Sequence, residues 1–448
     1  MSVLAELEAA APAGSGAAAG AAGPRATPPS QLLPAFARNQ AVNVRRHLDA
    51  LRDFKVDEFG SSIARPSEGH VQAVNQLLAR LRKPLERVVR EVERGSASID
   101  RGRPSTRQLH RLLGDKSRAH DWVRATERVW DFYWELFGQR QQKPYGEWLF
   151  SCDRIAVDCY QHVYMHLGNV RSIPSPPPFA YMRSGFSPAT YRRNIPLRKL
   201  GRQLNPFPLV QLPYHRLVNP WTMGAIMHEV SHNLQNELEL ENAVPKAILA
   251  RLRAAGVPFE SARVWAQWNR EIFGDLMGCL LGGEAFLASL IDVIGRAPDQ
   301  ALAFNPDGVH PTPYLRTFLS TELLRRMGFP EAAASYEQAW RKLYPSTRDG
   351  SMPAQLLKTW PVAVPAVVDA VVETRFASLG RKSLRQVITF EPRHQVMIEE
   401  AAVRLARGTD PGVVPERFLI GAVRFAVDRK LASPEKLMQN FYTELSRR

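Results

Sequence analysis

Residues 225–237 read AIMHEVSHNLQNE, placing His228 and His232 four residues apart with Glu229 directly after the first histidine. On a helix that interval is about 40° of rotation and one turn of rise, so both imidazoles can reach a single metal ion. Neutral imidazole nitrogens suit zinc, and Glu229 is offset enough to face a water at the metal instead of the metal itself. The pattern is H-E-x-x-H, and the chemistry it serves is hydrolysis by an activated water. The bland alternative is two histidines that share a helix face beside a surface glutamate.

A catalytic zinc needs a third protein ligand and one open position. Glu237, Glu239 and Glu241 sit too close to the motif to fold back easily, whereas Glu271 in NREIFGDLMG lies on the next strong helical pattern. Asp275 follows one turn later on the same face. Two acids among Trp265, Trp268, Ile272, Phe273, Leu276 and Leu280 are costly to bury unless something cationic faces them. Zinc with its imidazoles would be that partner, with Glu271 on the metal. Asp275 would then accept the outer N–H of a ligand histidine, His228 by preference. Against this stands a solvated pair of acids on an outer helix face.

H-E-x-x-H followed by E-x-x-x-D on a later helix resembles the gluzincin pattern of zinc metallopeptidases. A third element, His310-Pro311 with Arg316 six residues after the histidine, is similar to the His-Pro…Arg segment of the CaaX prenyl protease and heat-shock membrane metalloprotease family. The resemblance covers residues 228–316. It implies a zincin-like core, one catalytic Zn2+ held by His228, His232 and Glu271, and Glu229 as general base. It implies His310 as oxyanion stabiliser, with Tyr314 or Arg316 as alternates, and a peptide or protein substrate. That family often carries transmembrane helices and often has Ala where this chain has Gly274, so the expected protein is a soluble, divergent member.

The elements that must position these residues read as mainly α with a small β-sheet (α+β). Residues 1–30 form an Ala/Gly/Pro-rich tail without core-forming residues. The expected divisions are an N-terminal helical region at 31–145, a zincin-like metallopeptidase core at 146–345 and a C-terminal helical region at 346–448. Val74, Leu77, Leu78, Leu81, Leu85, Val88 and Val92 recur at helical steps, with Pro84 marking a kink or break. In the next pattern Trp122, Val129, Phe132 and Trp134 are candidate core. FPLVQLPYHRL is extended, and its prolines suggest an edge strand to which substrate adds. Asn219-Pro220 reads as the start of the motif helix. A later helix is expected from Ser261 to Gly282-Gly283, and Ser433-Pro434 starts the last one.

Composition bounds the function. The longest apolar stretch, LMGCLLGGEAFLASLIDVIG, is interrupted by Gly282, Gly283, Glu284 and Asp292, which reads as buried helix and not as a membrane span. Cys152, Cys159 and Cys279 form no C-x-x-C pair, which fits buried thiols in a reducing compartment. With no basic leader at the N-terminus, the expected location is cytoplasmic. The net charge of +15 arises from 48 Arg and 11 Lys scattered along the chain without a recognition motif. Nucleic acid is therefore a lesser alternative. A zinc-binding helical protein without catalytic activity is another.

Overall fold

The computed structural model describes residues 29–448 except Phe186 and Asp349; the expected N-terminal tail falls almost wholly outside the described residues. Three long helices come first, α1 (Pro29–Ala50), α2 (Glu68–Asp100) and α3 (Thr106–Gly138), followed by α4 (Tyr145–Leu167). Five short strands follow: β1 (Phe179–Met182), β2 (Ala189–Tyr191), β3 (Pro196–Leu197), β4 (Gln203–Leu204) and β5 (Leu209–Leu212). The single turn α5 (Tyr214–Leu217) leads to α6 (Gly224–Glu237), α7 (Ala243–Ala254), α8 (Phe259–Gln267) and α9 (Asn269–Ile294). Then come α10 (Pro298–Ala301), α11 (Pro313–Arg326), α12 (Pro330–Leu343) and α13 (Ala354–Val368). The chain closes with α14 (Leu384–Val387), α15 (Pro392–Arg407), α16 (Phe418–Asp428) and α17 (Pro434–Arg447). The fold is mainly α with a small β part.

Contacts divide the chain into two units. One comprises residues up to Ala50 with Lys83–Val123; the other comprises Leu51–Arg82 with Arg124–Arg448. In the first unit, Val44 and Leu48 of α1, Val88, Val89 and Val92 of α2, and Leu112 and Ala119 of α3 are buried. Arg45 clasps Glu93 there through two hydrogen bonds of 2.8 and 2.9 Å. The second unit holds the sheet and all later helices. Helices α16 and α17 pack on α9 and α4, so residues 346–448 share a core with the central helices instead of standing apart. The expected α2 residues are all buried. Pro84, however, neither breaks nor ends α2, which runs through it for 33 residues.

The sheet has the order β1-β5-β2, with β5 parallel to β1 and antiparallel to β2. The extended segment expected at an edge is therefore the central strand. Pro208 and Pro213 lie just outside β5, where no ladder N–H is needed, so the prolines bound the strand without excluding it from the middle. The two edge strands are β1 and β2. A separate antiparallel ribbon pairs β3 with β4.

Helix α6 starts at Gly224, not at Asn219-Pro220, which open a short 3-10 turn instead. Asn219 makes no cap and donates its side-chain amide to the His215 carbonyl at 2.8 Å. The single helix expected from Ser261 is two, parted at Trp268, and Ser261 lies inside the first. Gly282-Gly283 do not end the second: Gly283 takes φ +58° and α9 continues past the kink to Ile294. A side chain at Gly283 would meet the Phe390 ring at 2.3 Å, so position 283 is both bent and crowded.

All three cysteines are free and buried. Trp134 is 40% exposed, stacked on Trp130 instead of entering the core, while Val129 and Phe132 are buried and Trp122 is half-buried. Among the described residues two helices, Asn269–Ile294 and Ala354–Glu373, are long and apolar enough to cross a membrane. The first is mostly buried inside the protein and carries Glu271 and Asp275.

Candidate metal centre

Two helices build the site, and their backbones approach closely to do so. Helix α6 buries Met227, Val230 and Leu234 against α9, leaving His228 and His232 on the flank that faces the first turns of α9. Small residues allow the approach: a Cβ on Gly274 would lie 2.7 Å from His228 Cε1, and one on Gly224 would lie 2.7 Å from Ser289 Cβ. The His228 ring thus occupies the space that any side chain at 274 would need. Gly274, Gly278 and Gly282 recur every four residues, a spacing visible in GDLMGCLLG that marks one face of α9.

The donor atoms form a small triangle. His228 Nε2 and His232 Nε2 are 3.0 Å apart, with the rings nearly perpendicular at 88°. Glu271 Oε2 lies 3.3 Å from His228 Nε2, and Oε1 lies 3.5 Å from His232 Nε2. Zinc bonds of 2.0–2.1 Å in a tetrahedron require ligand atoms about 3.4 Å apart, so the triangle has the right size without rearrangement. Among the described residues, His228, His232 and Glu271 are the three such donors that converge.

Charge points the same way. Burial opposes a proton on His228, yet the carboxylates of Asp275 and Glu271 raise its pKa to about 10. Burial and the charge of His228 together push His232 down to about 3. Glu271 is held below the usual carboxylate range: burial opposes this, but hydrogen bonding and attraction to His228 outweigh it. Around neutral imidazoles the carboxylates of Glu271 and Asp275 outweigh the one guanidinium of Arg316; the proton on His228 offsets this excess, as a divalent metal would. Donor set, spacing and charge all fit zinc.

Behind the triangle, Asp275 is fully buried and held by Arg316, with Nε–Oδ2 and Nη2–Oδ1 both 2.7 Å. His228 Nδ1 lies 3.0 Å from Asp275 Oδ1, but the carboxylate sits off the N–H direction and the contact is not a well-aligned hydrogen bond. It still favours the tautomer that leaves Nε2 as the free donor. Arg316 had been a candidate for substrate or oxyanion contact. Its guanidinium is instead bound fork to fork by Asp275, with Nη2 only 3.8 Å from Glu271 Oε2.

Glu229, His228, His232, Glu271, His310 and Arg316 all border one cavity of about 740 Å³. Burial raises the Glu229 carboxyl to about 7, a rise that Glu271 aids and that His228 and Arg316 oppose. His310 precedes α11, with its side chain 65% exposed and Nε2 3.3 Å from Glu271 Oε2. Tyr314 does not reach the cavity. It lies two residues from Arg316, about 200° round α11, and packs on Phe318, Tyr344 and Trp360. Spacing alone placed it at the site, and the opposite helix face removes it.

Glu237, Glu239 and Glu241 each pair with an arginine, namely Arg193, Arg171 and Arg192, and none turns back to the triangle. The segment Ser187–Thr190 borders the cavity and was not anticipated. Asn233, one residue past the motif, donates to Thr190 Oγ1 at 2.6 Å and ties β2 to α6. No protein-family profile, curated protein or solved structure matches this chain.

Proposed function

We propose that the chain is a zinc-dependent metallopeptidase of gluzincin type. The observation that carries this reading is the triangle of His228, His232 and Glu271, open to a cavity bordered by Glu229. Zinc held there would supply a Lewis acid that polarises a carbonyl and makes water acidic near neutrality. Glu229 takes the proton of the attacking water and returns it to the leaving amine, a role suited to a carboxyl whose pKa is near 7. Asp275, clamped by Arg316, holds the His228 ring and its tautomer. His310 stands at the rim, and turning its Nε2 away from Glu271, 3.3 Å distant, would present a ring N–H to the developing negative oxygen.

The outward edge of β2 offers an extended peptide a strand partner beside the catalytic glutamate. Support comes from Ala189 and Thr190, which belong to β2 and border the same cavity.

Metal analysis with a proteolysis assay on an unstructured protein tests the reading. The expected result is one zinc per chain and cleavage that disappears with chelation. A metal-free protein, or chelator-resistant cleavage, would refute it.

A further inference from the structure

The first unit carries an arrangement that the catalytic site does not use. Lys83, Arg87, Arg90 and Arg94 follow one another along α2 at steps of four, three and four residues. At about 100° per residue they fall within about 60° of arc, on a line about 17 Å long. All four are exposed, and no described residue pairs with them. Beyond the helix end, Arg101, Arg103, Arg107 and Arg111 cluster around the turn into α3, again exposed and without a partner among the described residues.

The acids nearby do not neutralise this surface, because most are committed elsewhere. Glu91 and Asp115 both bind Arg118, at 2.8 and 2.6 Å. Glu93 is clasped by Arg45, and Asp100 pairs with Arg38. Over residues 29–50 and 83–123 there are 13 Lys and Arg against seven Asp and Glu, a net charge of +6. A solvated helix face usually mixes signs, with i,i+4 pairs of opposite charge. Lys83 with Arg87 and Arg90 with Arg94 are like-charged at that interval; Glu86, four residues before Arg90, offsets one charge, and the remaining excess costs stability unless a partner supplies the counter-charge.

We propose that this stripe and turn bind the phosphate backbone of a nucleic-acid duplex. Arg outnumbers Lys seven to one among the eight cations, and a planar guanidinium matches phosphate through two hydrogen bonds where an ammonium acts as a point charge. Duplex phosphates recur every 3.4 Å of axis on each strand, so a 17 Å line faces several of them at once. No large apolar side chain lies within the stripe to enter a lipid interface, as membrane-surface helices require. Recognition is of the backbone, without sequence readout.

Fluorescence anisotropy of the full chain with a labelled duplex of about 30 base pairs tests this, across a range of salt concentrations. Wild type is expected to bind with a Kd on the order of micromolar near 0.1 M salt, with a steep salt slope. Replacing Arg87, Arg90, Arg94 and Arg101 with Gln should weaken binding at least tenfold and flatten the log–log slope by about three to four. The same four positions as Lys should keep most of the slope, separating charge from any loss of folding. Lys246→Gln with Arg251→Gln, Arg253→Gln and Arg375→Gln, exposed cations of the second unit, should leave binding unchanged. The proposal is overturned by a Gln variant that binds within twofold of wild type. It is equally overturned if the stripe holds anionic vesicles but not the duplex.

Discussion

Two pairs of histidines sit four residues apart on helices of the second unit, His228 with His232 on α6 and His162 with His166 on α4. Their ring centroids are 4.6 Å apart in both cases, yet their surroundings differ throughout. On α6 both Nε2 atoms turn towards Glu271, and Asp275 stands behind one ring. On α4 the Nδ1–H of His166 donates to the carbonyl of His162 at 2.7 Å, and no carboxylate among the described residues converges on the pair. Burial depresses His162 to about 3, and nearby Arg417, His166 and His394 push the same way. One pair faces two carboxylates, Glu271 and Asp275; the other is depressed first by burial and has no carboxylate among the groups that shift it. Helical spacing brings two imidazoles together, and the charges on neighbouring elements decide whether they act as a metal site.

The contrast can be tested from its strongest consequence downward. Glu229→Gln should keep zinc but lower turnover by about a thousandfold, within the range for loss of a general base; activity retained at the wild-type rate would remove that role. His228→Ala should weaken zinc binding beyond the roughly 100-fold that outer contacts contribute, as read by competition with a chromogenic chelator, and Glu271→Ala should do likewise. Unchanged metal content in Glu271→Ala would move the third ligand elsewhere. Gly274→Ala puts a methyl where the His228 ring lies, and zinc affinity should fall by about 10- to 100-fold with the fold intact by circular dichroism. Asp275→Asn should cost about tenfold, less than loss of either ligand. The smallest effect belongs to the other pair: His162→Ala with His166→Ala should leave zinc stoichiometry unchanged.

Much of this was legible in the chain. The apolar steps of α2, from Val74 to Val92, named its buried face correctly, because a 3.6-residue period reports a helix face whatever it packs against. The Ser433 cap of α17 was also readable, and its hydroxyl accepts from the Lys436 N–H at 3.3 Å. Readings that leaned on one local residue fared worse. Pro84 suggested a break, but the helix runs through it, with Leu81 and Leu85 buried before and after it. Asn219-Pro220 suggested a helix start, but these residues open a short 3-10 turn, Asn219 makes no cap, and α6 begins at Gly224. Gly283 suggested a stop, yet it only bends α9, because Phe390 fills the hollow beside it.

At the candidate site, the three side chains that converge could be picked out from residue type and interval, since His228 and His232 must share a flank on any helix and an acid on an apolar helix needs a partner. Three things required the folded chain. Convergence of Glu271 with the histidines depends on α6 and α9 touching at Gly274. The assignment of Arg316 to Asp275, and the exclusion of Tyr314, depend on how α11 is rotated about its axis. The basic line on α2 reads as scattered charge in the sequence and gains its net positive excess only because Glu91 and Glu93, between its arginines, pair with Arg118 on α3 and Arg45 on α1. Sequence spacing determines what one helix can present. Which neighbour lies opposite, and with what charge, is set by packing between segments far apart in the chain, and local periodicity carries no record of that.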